Sequence, residues 1–293
     1  MKRLIVLITV IFVIFLGLSQ YLRDPNIEIN YDRFNLVAPG VLRTPDERFD
    51  NIKDYPFTPN YLTIGDTRIH YLDEGPMDGK IIYLLHGEPA WSYLFRKIIP
   101  TLTAAGYRVI APDMVGFGKS DKYISIDDYS HQMHVDKMVQ LVRELDLKDV
   151  TAHLHDWGGL VGFRVIAEEP ERFSGIIASN TSLIAPGRGF LRDLLSHISY
   201  PLFKLGIWIQ GPATWEEFIG GDGFTGWIRY SRYTDNIDVG GIMQTLGNVS
   251  DEERAGYEAP YPNATYKAGP QIFPYLIPSE LRKNEMAYRE VFE

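Results

Sequence analysis

Val150-Thr151-Ala152-His153-Leu154-His155-Asp156-Trp157-Gly158-Gly159-Leu160 is the stretch that decides the fold. Val150 to Leu154 is short and largely apolar, which suits a buried strand. Leu160 to Glu169 follows with helical spacing. A strand that turns sharply into a helix exposes the residue at the turn, and small neighbours relieve the crowding. Here that residue is Asp156. Its carboxylate is anionic near neutral pH, and the first N–H groups of the next helix point toward it. A carboxylate so placed can displace a leaving group from an sp3 carbon and form an ester. The same N–H groups can stabilise an oxyanion when that ester is hydrolysed. Plain helix capping is the rival reading, because aspartate is common at helix N-termini.

Outward from this turn, the chain alternates. Ile81 to Leu85, Tyr107 to Ala111 and Gly175 to Ser179 read as further short strands. Trp91 to Leu102 and His131 to Leu145 read as helices, and Tyr61 to Ile64 with Arg68 to Leu72 reads as a hairpin around Gly65-Asp66. Such alternation predicts an α/β fold with a mainly parallel sheet covered on both faces. Functional residues in such sheets lie just past the carboxyl ends of strands. Three segments qualify: His86 to Pro89, Asp113 to Ser120, and His155 to Gly159. Residues 20–60, with five prolines, read as a linker and lead-in loop. The core then covers 61–184. After 185 the alternation stops, and 185–285 reads as an inserted helical cap that includes a helix over 190–198. A helix over 280–291 has Ser279 as its N-cap, and 286–293 begins a return to the core.

Composition sets limits. The 293 residues carry a formal net charge of -9, which argues against nucleic-acid binding, since that requires a basic face. There is no cysteine, so disulfides and thiolate metal sites are excluded. Lys2 and Arg3 precede an apolar run from Leu4 to Leu18. That is the pattern of a secretory signal or a membrane anchor over residues 1–19, although the run is short beside the roughly 20 residues of a spanning helix. The expectation is export, to the periplasm or outside the cell if the segment is cleaved, or a membrane tether if it is retained.

The HGEPxWSYLxRK run at 86–97, the VIAPDxxGFGKSDK run at 109–122 and DWGG at 156–159 together resemble haloalkane dehalogenase, an α/β-hydrolase. Arg43-Thr44-Pro45-Asp46 and Gly221 to Trp227 are similar to the same family. The resemblance covers roughly residues 41 to 285 and implies a set of roles. Asp156 would be the nucleophile. Trp157 and Trp227 would hold the departing halide through their indole N–H groups, and Phe224 would line the pocket. Glu88 and Trp157 would give backbone donors to the oxyanion hole. The substrate would be a small halogenated alkane, converted to an alcohol and a halide ion, with no cofactor and no metal. An indole N–H donates and cannot accept, which suits a large, weakly hydrated anion. Ordinary packing is the alternative for both tryptophans.

The resemblance also implies pieces that are not found. In this fold the nucleophile is followed by an acid and then a histidine. The last histidine is His197, inside the cap, so the chain reads as truncated, with the last strands and helix of the core missing. Their loss would leave a parallel strand as an open edge. His155 is expected to point away from Asp156, because consecutive strand residues face opposite sides. An epoxide hydrolase is the second reading, with Tyr200, Tyr230 and Tyr233 as cap tyrosines. A catalytically incomplete remnant or binding module is the third. Two other patterns fail: Gly118-Lys119-Ser120 lacks the earlier glycine of a P-loop, and His131 with His134 reads as a solvated helix face.

Overall fold

The computed structural model describes residues 35–181, 202–221 and 223–276. Its strands are β1 (Leu36–Ala38), β2 (Val41–Leu42), β3 (Asn60–Ile64), β4 (Thr67–Glu74), β5 (Ile81–Leu85), β6 (Arg108–Pro112), β7 (Lys122–Tyr123), β8 (Val150–His155) and β9 (Phe173–Ser179). Six of them form one sheet in the order β3-β4-β6-β5-β8-β9. The β3–β4 and β4–β6 pairs are antiparallel, and the neighbours from β6 to β9 are parallel. Parallel strands need long crossovers. These contain α1 (Ile99–Ala104), α2 (His131–Glu144) and α3 (Trp157–Glu168). The chain runs from β5 to β6 on one side and returns past β5 to β8 on the other. The carboxyl ends of β5 and β8 therefore lie side by side where the winding reverses, with Leu85 opposite Leu154. Ligands in open α/β sheets bind at such a point.

Further helices follow β9: α4 over 202–210, α5 (Trp215–Gly220), α6 (Gly223–Tyr233), α7 (Val239–Leu246), α8 (Asp251–Glu258) and α9 over 268–276. Three of them start as capping chemistry dictates. Thr214 and Ser250 form capping boxes with Glu217 and Glu253, and Asp238 accepts from Gly241 N–H. The expected helix over 190–198, the helix over 280–291 and the apolar run from Leu4 to Leu18 all lie outside the described residues. Among the described residues no helix is long and apolar enough to cross a membrane.

Three expectations are corrected. From residue 35 onward the lead-in is structured rather than a loose linker. β1, β2 and β7 form a second sheet, Val41 and Leu42 are buried, and Arg43 holds Asp121 through two hydrogen bonds of 2.8 and 2.9 Å. A two-residue strand is too short to show a period in sequence. The helix expected over 91–102 is a 3-10 turn, Ser92–Phe95, followed by α1, with Pro100 in the first turn of α1 where proline fits. His131 and His134 are buried and not solvated. They share the apolar stripe of α2 with Val135, Met138 and Val142, at the helical spacing of three and four. Among the described residues β9 pairs on one side, with β8, and Ile176 and Ile177 are exposed.

Helix α8 is fastened to the turn after β5. Trp91 Nε1–H donates to the Gly256 carbonyl of α8 at 3.2 Å. The buried Arg96 guanidinium pairs with Glu253 of α8, which also accepts from Lys97 at 2.6 Å. Truncating one partner leaves a buried charge uncompensated, at a cost of about 3 kcal/mol or more. Glu253→Ala is therefore expected to lower unfolding stability by that amount in denaturant titration. A loss under about 1 kcal/mol, the usual range of exposed pairs, would contradict this account of the fastening.

Candidate active site

Asp156 takes φ 53°, ψ -123° between β8 and α3. Such backbone costs an L-residue about 1–3 kcal/mol and survives only where the surroundings over-determine it. Here they do. Asp156 N–H donates to the Ser179 carbonyl at 3.2 Å, and the Asp156 carbonyl accepts from Gly159 N–H at 2.8 Å and from Thr181 Oγ1–H at 2.7 Å. Two glycines permit the close approach of the neighbouring turn. A Cβ on Gly87 would stand 2.4 Å from the Asp156 Cβ, and one on Gly158 would stand 2.3 Å from the Leu85 carbonyl oxygen. The turn after β5 and the elbow after β8 are thus in direct contact.

The Asp156 side chain makes no N-cap hydrogen bond to α3, so plain capping does not account for it. Its Oδ1 accepts the Glu88 backbone N–H at 2.9 Å, and its carboxylate also accepts the Trp157 N–H. Burial raises its pKa and these two donors oppose the rise, leaving it above the ordinary carboxylate value. The Glu88 carboxyl is driven much further up, by burial and then by the charge of Asp156. Burial thus disfavours the charge more strongly on Glu88 than on Asp156, whose carboxylate the two backbone donors favour. Burial lowers the pKa of the His155 ring and Asp156 acts the other way, so the imidazole is neutral at pH 7.

Asp156, Glu88, Trp157, Trp227 and Phe224 all border one cleft of about 650 Å³. These five are the residues to which the family resemblance assigns roles. Trp157 is buried against Phe273, with ring centroids 4.8 Å apart, and Trp227 packs on Phe218 at 4.9 Å. Among the described residues neither indole N–H has a hydrogen-bond partner, and Phe224 is half exposed at the mouth. Met243, Leu246 and Tyr257 complete the apolar wall from α7 and α8. They carry no motif and were not legible in the sequence. His155 also borders the cleft, against expectation. Strand alternation stops at His155, because Asp156 has already left the strand. Of the cap tyrosines weighed for an epoxide, Tyr230 and Tyr233 are not among the cleft's lining residues and Tyr200 lies outside the described residues. Among the described residues no three His, Asp or Glu side chains form a metal cluster.

His86 braces the site without touching the cleft. It is buried, its Nε2 accepts from Met114 N–H at 3.0 Å, and its Nδ1 lies 3.0 Å from the Gly87 carbonyl. Asp113 accepts from Ser92 N–H at 2.7 Å, from Lys119 N–H at 2.8 Å and pairs with His70 Nδ1 at 2.7 Å. Burial raises its pKa, but His70 and these donors win, so it stays ionised below the usual range.

Comparison with known proteins places this geometry. The family described as alpha/beta hydrolase fold matches residues 80–226. A haloalkane dehalogenase of Mycolicibacterium paratuberculosis is 45% identical over 246 residues, covering 82% of this chain and 72% of that protein. One from Psychrobacter cryohalolentis is 43% identical, covering 82% and 71%. Among solved structures, the tetrameric haloalkane dehalogenase DpaA from Paraglaciecola agarilytica NO2 superposes with a TM-score of 0.69 at 32% identity, covering 86% of this chain and 76% of that one. DbeA from Bradyrhizobium elkani, at 19% identity and a TM-score of 0.56, shares the fold.

A carboxyl whose folded pKa lies above its unfolded value stabilises the fold below the unfolded value, near 4, and that contribution is lost as pH rises through the folded value. Ionised Asp156 is thus a net cost at neutral pH. Asn has the shape of Asp, so the backbone demand at this elbow is unchanged and only the charge is removed. Asp156→Asn is expected to melt higher than wild type at pH 7, with the gap closing toward pH 4. Thermal unfolding across that range checks it, and a lower melting point at pH 7 would contradict the electrostatic account.

Proposed function

The chain belongs to the haloalkane dehalogenase family of α/β-hydrolases, and within that family we propose that Asp156 is the nucleophile that displaces halide from a small haloalkane. The observation that supports this is the meeting of Asp156, on a positive-φ elbow, with two tryptophans in one mainly apolar cleft, neither indole N–H having a partner among the described residues. An Asp156 oxygen attacks the carbon, the carbon–halogen bond breaks, and its electron pair leaves with the halide. Trp157 and Trp227 donate to the departing anion. A cation would bind it more tightly and slow its release. The apolar wall of the cleft takes the alkyl chain and excludes water from the anion, which strengthens both hydrogen bonds.

The product of this step is an alkyl ester of Asp156. Its hydrolysis places negative charge on the Asp156 carbonyl oxygen. The Glu88 and Trp157 N–H groups already bind that carboxylate and stand ready as the oxyanion hole. The attacking water also needs a base. Among the described residues no imidazole hydrogen-bonds to the Asp156 carboxylate. His155 borders the cleft as a neutral ring whose Nδ1 is shut from water and has no partner among the described residues. We infer that ester hydrolysis is the slower half-reaction of this chain.

Incubation with 1-bromobutane, followed by bromide assay and intact mass, tests both steps. The expected result is about one bromide released per chain, with a butyl adduct mapped to Asp156 and absent from Asp156→Asn. Absence of bromide release overturns the dehalogenase reading. Continuous release without an adduct overturns the slow second step. Trp227→Phe removes one donor to a charged acceptor, worth about 1.5–3 kcal/mol. It is expected to slow the bromide burst by roughly 10- to 100-fold, measured as the single-turnover rate.

A further inference from the structure

Glu88 supplies more chemistry than its backbone N–H. The residue borders the cleft, yet its side-chain Oε1 is closed to solvent and has no hydrogen-bond partner among the described residues. That N–H is committed to Asp156 Oδ1 at 2.9 Å. The side chain is therefore held within a few ångströms of a second carboxylate, in a cleft whose wall is otherwise mainly apolar. An ionised Glu88 there would lack a donor, would face the charge of Asp156, and would repel any anion formed in the cleft. A neutral Glu88 meets none of these difficulties and presents an O–H with nothing in the described structure to accept it. Trp157 and Trp227 border the same cleft, and neither indole N–H has a partner among the described residues. Three donors without acceptors around one apolar space define a site for an anion.

Resting on the reading of this cleft as a halide site, we propose that the Glu88 side chain, as a neutral carboxylic acid, is a third hydrogen-bond donor to the departing halide. The step balances without moving its proton. The Asp156 oxygen forms the carbon–oxygen bond, the carbon–halogen bond breaks, and the halide takes the electron pair. The Glu88 proton stays on Glu88, because chloride and bromide are far weaker bases than a carboxylate. The arrangement makes halide capture depend on the protonation of Glu88. Burial and the Asp156 charge hold that proton well above the ordinary carboxylate range. The other titratable groups around it are accounted for. Asp156 and His155 face it from the elbow after β8. Tyr257 borders the cleft from α8, and Tyr261 just beyond α8 is coupled to Glu88 by charge. Both phenols are shifted upward by burial and stay neutral well into the alkaline range. On its own turn, His86 is buried and neutral.

The test is bromide affinity, read from the saturable change in tryptophan fluorescence of the full chain between pH 6 and pH 10. Wild type is compared with Glu88→Gln and Glu88→Ala, each checked for an unchanged melting profile. Gln keeps a neutral donor at every pH. The expected result is that wild-type affinity falls by about tenfold per pH unit once Glu88 ionises, as linkage to one proton requires. The Gln variant should stay flat, and the Ala variant should be weak and flat. Parallel pH profiles in wild type and Glu88→Gln overturn the role of Glu88 while leaving the halide site intact. An absence of saturable bromide binding in wild type overturns the halide site itself, and with it the proposed function.

Discussion

The contact between the turn after β5 and the elbow after β8 is the constraint on which the site depends. Two parallel strands, side by side where the sheet reverses its winding, end at the same level. Gly87 lets the first turn close onto Asp156, and Gly158 lets α3 start beneath it. The hydrogen bond from Glu88 N–H to Asp156 Oδ1 then sets the direction of the carboxylate. Without that bond the left-handed backbone at Asp156 would still be costly, but its side chain would have no fixed aim. Strain at the elbow and the fixed direction of the Asp156 carboxylate share one cause.

The buried polar residues around that contact explain why the recognisable runs are long. His86 accepts from Met114 N–H and Asp113 accepts from Ser92 and Lys119 N–H. The turns after β5 and β6 are therefore cross-braced through two side chains that never meet the cleft. A buried polar group without its partner costs about 1–3 kcal/mol, so each brace fixes the residues around it. The runs at 86–97 and 109–122 record this bracing as much as they record chemistry.

The sheet and the elbow that carries Asp156 were legible in the sequence because their signals are local. A strand, a sharp turn with glycines and a helix are visible within ten residues, and β5, β8 and α2 lie within one residue of their expected bounds. His131 and His134 were misplaced on a solvated face although Val135, Met138 and Val142 continue their stripe, because two polar side chains on a helix suggest water when their partners are out of view. The cap wall was not legible. Met243, Leu246 and Tyr257 reach the cleft through the packing of separate helices, and packing leaves no motif. His155 was misplaced for another reason: the period of two describes strands, and Asp156 obeys a different geometry one residue later. The small sheet of β1, β2 and β7 escaped because two-residue strands carry no period.

The two carboxyls of the cleft show how one sheet edge can run opposite chemistries. Both are buried and both are raised, but not equally. Two backbone N–H groups favour the charge on Asp156, whereas Glu88 has no donor to its side chain and gives its own N–H to its neighbour. In the proposed reaction a single negative charge is thereby confined to the carboxylate that attacks, and the adjacent acid serves as a donor. The site acts on a neutral substrate and must then accommodate an anion, so it cannot hold both carboxyls ionised. On the proposed mechanism displacement moves the charge from Asp156 to the halide, and the proposed donors at the border of the cleft, two indoles and one carboxylic acid, are neutral. No step buries a new net charge; the one already there moves a few ångströms, from a strained carboxylate to a large, weakly hydrated ion that the apolar walls release.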